Sequence, residues 1–310
     1  MARFDVTIAG ELNLDLILYG LPEQLLPERE LLADRMMLTL GSSSAIVAHN
    51  LSALGSSVGF QSRIGDDPLG KIALERLQQG GVDVSKVRMV PGATTTGLTV
   101  ILHQQNWRNI LTYSGTIAEL SWNDLDFDYL ADSRHFHFSS YYLQKNLRPR
   151  VGELFQKLKA KGLTISLDTN DDPDDRWEGG LSEVLRHVDV FLPNEREACK
   201  AAATEDLEEA VKKLSQQVPL VVVKLGRKGA MAQRGNERIV VPAKEVVPVD
   251  SVGAGDSFDA GFLHEFVRGS DLQTCLKSGN RSGALSTTRP GGTEAFRDAV
   301  HREQFLRPRT

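Results

Sequence analysis

Val249-Asp250-Ser251-Val252-Gly253-Ala254-Gly255-Asp256-Ser257-Phe258-Asp259-Ala260-Gly261-Phe262 is the stretch around which the 310-residue chain is organised. Valines and a proline precede it, and Phe258, Phe262 and Phe266 recur at i, i+4 and i+8. That pattern is a turn of small residues opening an amphipathic helix. A helix start presents backbone N–H groups without helical partners, at the positive end of the helix dipole. Gly253, Ala254 and Gly255 leave those groups uncovered, so an anion can sit directly on the main chain. Asp256 then adds a carboxylate where a simple phosphate loop would avoid one. A base beside an anion hole is what moving a phosphoryl group to a hydroxyl requires. The carboxylate takes the hydroxyl proton while the N–H groups hold charge on the transferring phosphoryl.

Two familiar loops are excluded. A P-loop ends in Gly-Lys-Ser/Thr, and here Gly255 is followed by Asp256 and Ser257. A dinucleotide fingerprint needs a third small residue where Phe258 stands. The alternative left open is a glycine turn feeding a helix that Asp256 caps.

The full pattern Asp-x-x-Gly-Ala-Gly-Asp-x-Phe-x-Ala-Gly-Phe closely resembles the C-terminal signature of the ribokinase-like (PfkB) sugar-kinase family. The resemblance covers nearly the whole chain. It implies an α/β fold, a three-layer α/β/α sandwich with a mainly parallel central sheet and a small β-sheet lid. The expected organisation is one domain over residues 1–310, with lid segments near 12–40 and 94–114. The implied activity is ATP- and Mg²⁺-dependent phosphorylation of a hydroxymethyl group of a sugar or sugar acid. In it Asp256 is the base, and Gly253, Ala254 and Gly255 supply the anion hole.

Composition agrees with an ordinary globule. A net charge of −5 and the lack of a basic run argue against a nucleic-acid partner. No apolar run approaches membrane-spanning length and no signal peptide opens the sequence, so a cytoplasmic protein without a membrane partner is expected. Cys199 and Cys275, far apart and in helix-like segments, read as reduced core thiols.

Phe4 to Ala9 alternates into Gly10 like a first strand. Glu11, Asn13 and Asp15 then alternate with Leu12, Leu14 and Leu16, which puts the polar side chains on one face. Taken alone, that face is either solvent-exposed or a grip for sugar hydroxyls. The resemblance assigns Asn13 and Asp15 to the substrate. Gly41-Ser42-Ser43-Ser44 opens a helix carrying Ile46, Val47, Leu51 and Leu54, and serines there commonly cap. The family pattern at this point is Gly-Gly-x-x-x-Asn, which makes Gly41 and Ser42 substrate-side residues. Here Ser42 replaces the second glycine and Ile46 stands where the Asn is expected, so one polar sugar contact is lost. Asp66 is expected to cap Pro68 and the helix after it.

Thr94 to Leu102 and Asn109 to Tyr113 read as two strands joined by Gln104-Gln105-Asn106-Trp107, completing the lid. Such a flap is also a place where these kinases pair, so a homodimer through the lid is expected. His135 and His137 share a strand face with no third metal ligand nearby in sequence. From there strands and helices alternate, which means a parallel sheet with its ligand site at the strand C-terminal ends.

Polar residues directly after strands therefore carry the remaining expectations. Asp168 and Asn170 follow one strand, and with Arg176 they resemble the family's Asp-x-Asn…Arg-Trp element near the sugar. The acidic run between them reads as a solvated loop. Asn194 and Glu197 match the family's Asn-x-x-Glu, tied to nucleotide and to Mg²⁺ held through water. A capped helix start describes the same two residues equally well. Lys224, Gly226 and Gly229 resemble the nucleotide-side turn, with Arg227 and Lys228 facing solvent. Gly235-Asn236 marks a hairpin. Asn280 and Ser282 are expected near adenine. Asp250 and Gly291 match positions that hold a monovalent cation, often K⁺, in relatives.

The reading is an ATP-dependent carbohydrate kinase. A nucleoside kinase of the same family, a catalytically silent sugar sensor and a purely structural protein are the rivals. Ketohexoses and 2-keto-3-deoxygluconate are the first substrates to try.

Overall fold

Successive residues of a strand point to opposite faces, and here both faces of the main sheet are covered. Val221 and Val223 enter one apolar core while Leu220 and Val222 enter the other. Burial on both sides is why Leu220-Val221-Val222-Val223 reads as an unbroken apolar run. The computed structural model describes residues 2–92, 94–104 and 107–307. Gln105 and Asn106, the middle of the turn expected between two lid strands, lie outside the described residues.

In chain order the strands are β1 (Phe4–Ala9), β2 (Leu14–Tyr19), β3 (Arg35–Leu40), β4 (Val58–Gly65), β5 (Asp83–Val90), β6 (Leu98–His103), β7 (Arg108–Tyr113), β8 (Ser133–Phe138), β9 (Thr164–Leu167), β10 (Val190–Phe191), β11 (Leu220–Lys224), β12 (Ala230–Arg234) and β13 (Glu237–Val241). The helices that matter here are α1 (Ser43–Ala53), α2 (Pro68–Gln79), α3 (Phe127–Ala131), α4 (Val151–Ala160), α5 (Leu181–Leu185), α6 (Glu195–Ala201), α7 (Leu207–Leu214), α8 (Ala254–Phe266) and α9 (Leu272–Ser286). A nine-stranded sheet runs β13-β12-β11-β10-β9-β8-β1-β4-β5. Its pairings are parallel except at β11–β12 and β12–β13, where Gly235-Asn236 makes the expected hairpin with Arg234 opposite Glu237. Helices α4, α5 and α7 pack on one face, and α1, α2, α8 and α9 on the other. The result is the layered, mainly parallel fold expected from the sequence.

A separate four-stranded sheet has the order β3-β2-β6-β7. It meets the main body where Ile17, Tyr19 and Ile101 pack with Val252, just ahead of α8. Polar bonds reinforce that seam: Tyr19 donates its hydroxyl to Asp250 Oδ2 at 2.8 Å, and Arg108 donates to Ser251 Oγ at 2.7 Å.

Three local expectations change. Asp67, not Asp66, caps α2: its carboxylate accepts from Gly70 N at 2.9 Å and from Thr96 N at 2.7 Å. Asp66 instead stays in solvent and pairs with Lys71. Of the two thiols only Cys275 is in the core, because Cys199 lies on the outer side of short helix α6 and is only half-buried. His135 and His137 do share a face, and there they bond hydroxyls. His135 meets Thr164 and Ser166, and His137 meets Ser166 and Ser139, each at 2.7 Å.

Candidate active site

β1, β9, β10 and β11 all end at one edge of the sheet, and the residues just beyond each strand converge there. Asn194 and Lys224 sit side by side, joined by an isolated parallel bridge beyond β10 and β11. The start of α8 faces them across a cleft of about 1480 Å³ lined by Asn170, Asn194, Glu197, Lys224, Gly253, Gly255 and Asp256.

Gly253 is the last residue before α8 and has φ 70°. A Cβ there would stand 2.5 Å from the Gly292 Cα, so both the conformation and the close approach require glycine. No side chain caps this helix, which removes the alternative that Asp256 is its cap. Ala254 N–H donates to the Ser251 carbonyl at 3.3 Å, so that group closes the turn. The next N–H groups belong to the open first turn. Asp256 is buried at the floor of the cleft, with Ser43 beside it and Asn170 Nδ2 donating to it at 3.4 Å. Burial pushes the Asp256 carboxyl up to about 6; the charge of Asp168 adds to the rise, and Lys224 opposes it.

Behind the turn lies a buried ion cluster. Lys224 Nζ is 2.6 Å from Asp168 Oδ2 and 3.2 Å from Asp259 Oδ2. A Cβ on Gly255 would come within 3.6 Å of that ammonium, so Lys224 lies directly under the first turn of α8. Burial pulls the Lys224 pKa down, but its acidic neighbours, Asp168 foremost, outweigh it and hold the ammonium charged. Burial raises Asp168 too; Lys224 outweighs that and keeps it ionised. Asp259 goes the other way, raised well above the carboxylate range by burial, against the pull of Lys224. One cation thus neutralises one anion, and the protonated Asp259 hydrogen-bonds Asp168.

Across the cleft are the residues that come after β1. Glu11, Asn13 and Asp15 are 2%, 2% and 6% exposed, so the solvent-facing alternative for that row is overturned. A Cβ on Gly41 would collide with Asp15 Oδ1 and Asn13 Nδ2, and only glycine lets those two side chains lie over that loop. Burial, then the charges of Asp256 and Asp250, lift Asp15 to about 7. Ser42 has φ 68° and caps α1, accepting from Ala45 N at 3.0 Å while donating to the Glu11 carbonyl. That serine tolerates a backbone conformation more natural to the glycine the family pattern expects. Ile46 is buried with its Cδ1 against Gly253 and Gly292, so it packs the back of the turn.

On the nucleotide side, Gly226 (φ 57°) and Gly229 (φ 106°) line the cleft. Asn194 and Glu197 form a reciprocal cap: Glu197 N donates to Asn194 Oδ1 at 2.9 Å, and Asn194 N donates to Glu197 Oε2 at 2.8 Å. The capped-helix description is therefore right. It leaves each Glu197 oxygen a second lone pair, and the residue lines the cleft, which fits a divalent cation held through water. Burial, then Asp168, raises the Glu197 carboxyl to about 7, a cost that a bound cation would offset. Asn280 lines the cleft but spends its amide on the Val241 and Pro242 carbonyls at 3.0 and 3.1 Å. Ser282 turns away toward Gly261.

Asp250 and Gly291 do lie together, joined by a hydrogen bond from Gly291 N at 3.0 Å. Tyr19 and Val252 N also donate to Asp250, which puts two donors on Oδ2 and one on Oδ1. Arg176 lies outside the cluster. Its loop folds on buried Asp172, whose carboxylate accepts from the N–H groups of Asp174, Arg176 and Trp177 and leaves the guanidinium in solvent. The acidic run is thus an anchored loop.

Sequence reasoning missed Ser43, Arg108 and Asp259, and left Glu11 without a task. Glu11 ties Ser44 to Ser140, and Ser140 N donates to Asn170 Oδ1 at 2.8 Å. Asp259 carried a signal: a charge inside Phe258-Asp259-Ala260-Gly261-Phe262 is untenable in a core without a partner. Arg108 carried none, because its nearness to Ser251 comes from how the smaller sheet sits.

A family model described as pfkB family carbohydrate kinase matches residues 4–299. The chain is 30% identical to an ATP-dependent ribose-1-phosphate kinase of Halopiger xanaduensis, covering 82% of each. It is 28% identical to a cytidine kinase of Thermococcus kodakarensis, over 89% of this chain and 93% of that one. An E. coli ribokinase II candidate, solved in complex with ATP and Mg²⁺, superposes with a TM-score of 0.85 at 26% identity, over 98% of this chain and 99% of that one.

Proposed function

The chain belongs to the pfkB family of carbohydrate kinases, and on that premise we propose that Asp256 is the general base for phosphorylation of a primary hydroxyl of a sugar or sugar acid. The observation that carries this reading is an uncapped helix start at Gly253 with a buried carboxylate of pKa about 6 in its first turn. A base needs to be ionised near neutral pH yet retain affinity for a proton, and that value meets both demands. Asn13 and Asp15 grip the acceptor, Asn170 braces Asp256, and the open turn of α8 receives the phosphoryl. Gly226, Gly229 and the Asn280 region border the nucleotide. Glu197 holds Mg²⁺, which supplies charge neutralisation on the phosphates when bound.

A nucleoside acceptor is the second reading. It is favoured by Ile46, an apolar residue where the family's sugar-binding Asn is expected, and by likeness to a cytidine kinase. ATP consumption measured with Mg²⁺ against sugars, sugar acids and nucleosides tests both. Turnover with one class names the acceptor. Tight acceptor and ATP binding with no turnover in any class would make the protein a sensor and end the kinase reading.

The smaller sheet is the lid. Its outer face carries Leu16, Leu18, Met36, Leu38, Val100, Leu102 and Leu111 in register across four strands. Met36 and Leu111 are more than half exposed, and a contiguous apolar face of this kind fits a second copy of the chain. A dimer is expected in light scattering, and Met36→Asp with Leu111→Asp is expected to give monomers of unchanged thermal stability. A wild-type monomer at high concentration refutes the pairing.

Since Tyr19, Val252 and Gly291 already satisfy Asp250, turnover is expected to be equal in K⁺ and Na⁺ salts. A K⁺ requirement would show that Asp250 releases Tyr19 to take the ion.

A further inference from the structure

Arg108 opens β7, the outermost strand of the smaller sheet, and reaches the cleft that also holds Gly253, Gly255 and Asp256. Its only described hydrogen bond is to Ser251 Oγ, two residues before Gly253. Among the described residues, the ion pairs of this region join Lys224 to Asp168 and Asp259 and leave Arg108 on a neutral hydroxyl. The surroundings are acidic: Asp15, Asp250 and Asp256 are all buried here. Lys224 offsets them only in part: it opposes the rise at Asp256, but it is paired with Asp168. A phosphoryl group entering this space adds further negative charge.

We propose that Arg108 is a catalytic residue whose guanidinium holds the non-bridging oxygens of the phosphoryl group during transfer. The proposal rests on Asp256 being the base. In the step, the acceptor oxygen bonds the γ-phosphorus and the bond from that phosphorus to the β–γ bridging oxygen breaks. ADP keeps the electron pair, and the hydroxyl proton passes to Asp256. A planar guanidinium matches phosphoryl oxygens two at a time, and such charge-assisted bonds are roughly twice as strong as a bond to a neutral hydroxyl. Ser251 is therefore a resting partner that the phosphoryl displaces. The charge of Arg108 also opposes the rise in the Asp15 pKa, so the two groups interact in the cleft.

The test compares Arg108→Ala, Arg108→Lys and Ser251→Ala in the full chain. It measures steady-state rates together with affinities for Mg·ADP, without and with aluminium fluoride as mimic of the transferring phosphoryl. Arg108→Ala is expected to lower kcat by about 10²- to 10³-fold, the usual loss for one oxyanion donor. Its nucleotide and acceptor KM should change little. The aluminium fluoride complex should weaken by a similar factor while plain Mg·ADP binding holds. Arg108→Lys should recover part of the loss, and Ser251→Ala should behave as wild type. Wild-type kcat in Arg108→Ala overturns the proposal, and so does a loss confined to KM. A Ser251→Ala defect equal to that of Arg108→Ala overturns it as well, making the bond a latch. Asp256→Asn run alongside separates the two readings. If it is silent while Arg108→Ala is normal, only Arg108 falls; if it turns over normally, the base assignment falls first.

Discussion

Asp256→Asn is expected to fold normally and to lower kcat by about 10²- to 10⁴-fold, the range a positioned general base contributes. An amide of the same shape keeps the Ser43 and Asn170 neighbours but cannot accept a proton. Removing one carboxylate from a pocket that also holds Asp15 and Asp168 relieves repulsion, so thermal stability should stay level or rise. The wild-type pH profile is a second check. With Asp256 near 6 and Asp15 near 7, and the Asp256 charge among the causes that raise Asp15, the profile spans both groups. Log kcat/KM should climb from acid pH through this interval and level above it. Asp256→Asn should lose the limb along with the rate. Turnover near wild type, or a profile flat from pH 5 to 8, would sink the assignment.

Lys224→Met is expected to be among the most damaging single changes in the chain for stability. The methionine fills the volume but strands Asp168, a buried and ionised carboxylate, without its cation. Breaking one side of a buried pair costs about 3–5 kcal/mol. The same cluster supplies an internal control. Asp259 is held protonated, so Asp259→Asn replaces one neutral donor by another and should cost little. Denaturant midpoints for the two variants decide the matter. If Asp259→Asn is as damaging as Lys224→Met, Asp259 is ionised and the cluster carries a net negative charge. A stable Lys224→Met would mean that Asp168 can neutralise itself by taking a proton. The cluster underlies Gly255, so Lys224→Met should also depress turnover beyond any loss of folded protein.

How much of the molecule was legible depended on whether the sequence carried a local or a spatial signal. Strand and helix alternation from Ser133 to Ala201 is a matter of period, and the layered sheet came from it. Gly253 was legible as a small residue at an open helix start, and the structure places it there. Side-chain direction was less legible. Period 2 grouped Glu11 with Asn13 and Asp15, but it could not say that Glu11 would turn to Ser44 and Ser140. Asp66 and Asp67 both suit a helix start, and only the bond from Thr96, far along the chain, selects the second. Arg176 was singled out by resemblance to a family element, yet its loop folds on Asp172 and leaves the guanidinium in solvent. Asn280, expected near adenine, lines the cleft, but its amide is committed to main-chain carbonyls.

The seam between the two sheets is narrow, and its position has a kinetic meaning. Tyr19 grips Asp250, Arg108 grips Ser251, and Ile17 with Ile101 packs on Val252. Those three consecutive residues lead straight into Gly253. On the proposed site, the segment that shapes the reaction centre is therefore also the one the smaller sheet holds. Where parting of the Tyr19 and Val252 contacts limits release, turnover is expected to fall as solvent viscosity rises, and an unchanged kcat in viscous buffer refutes it.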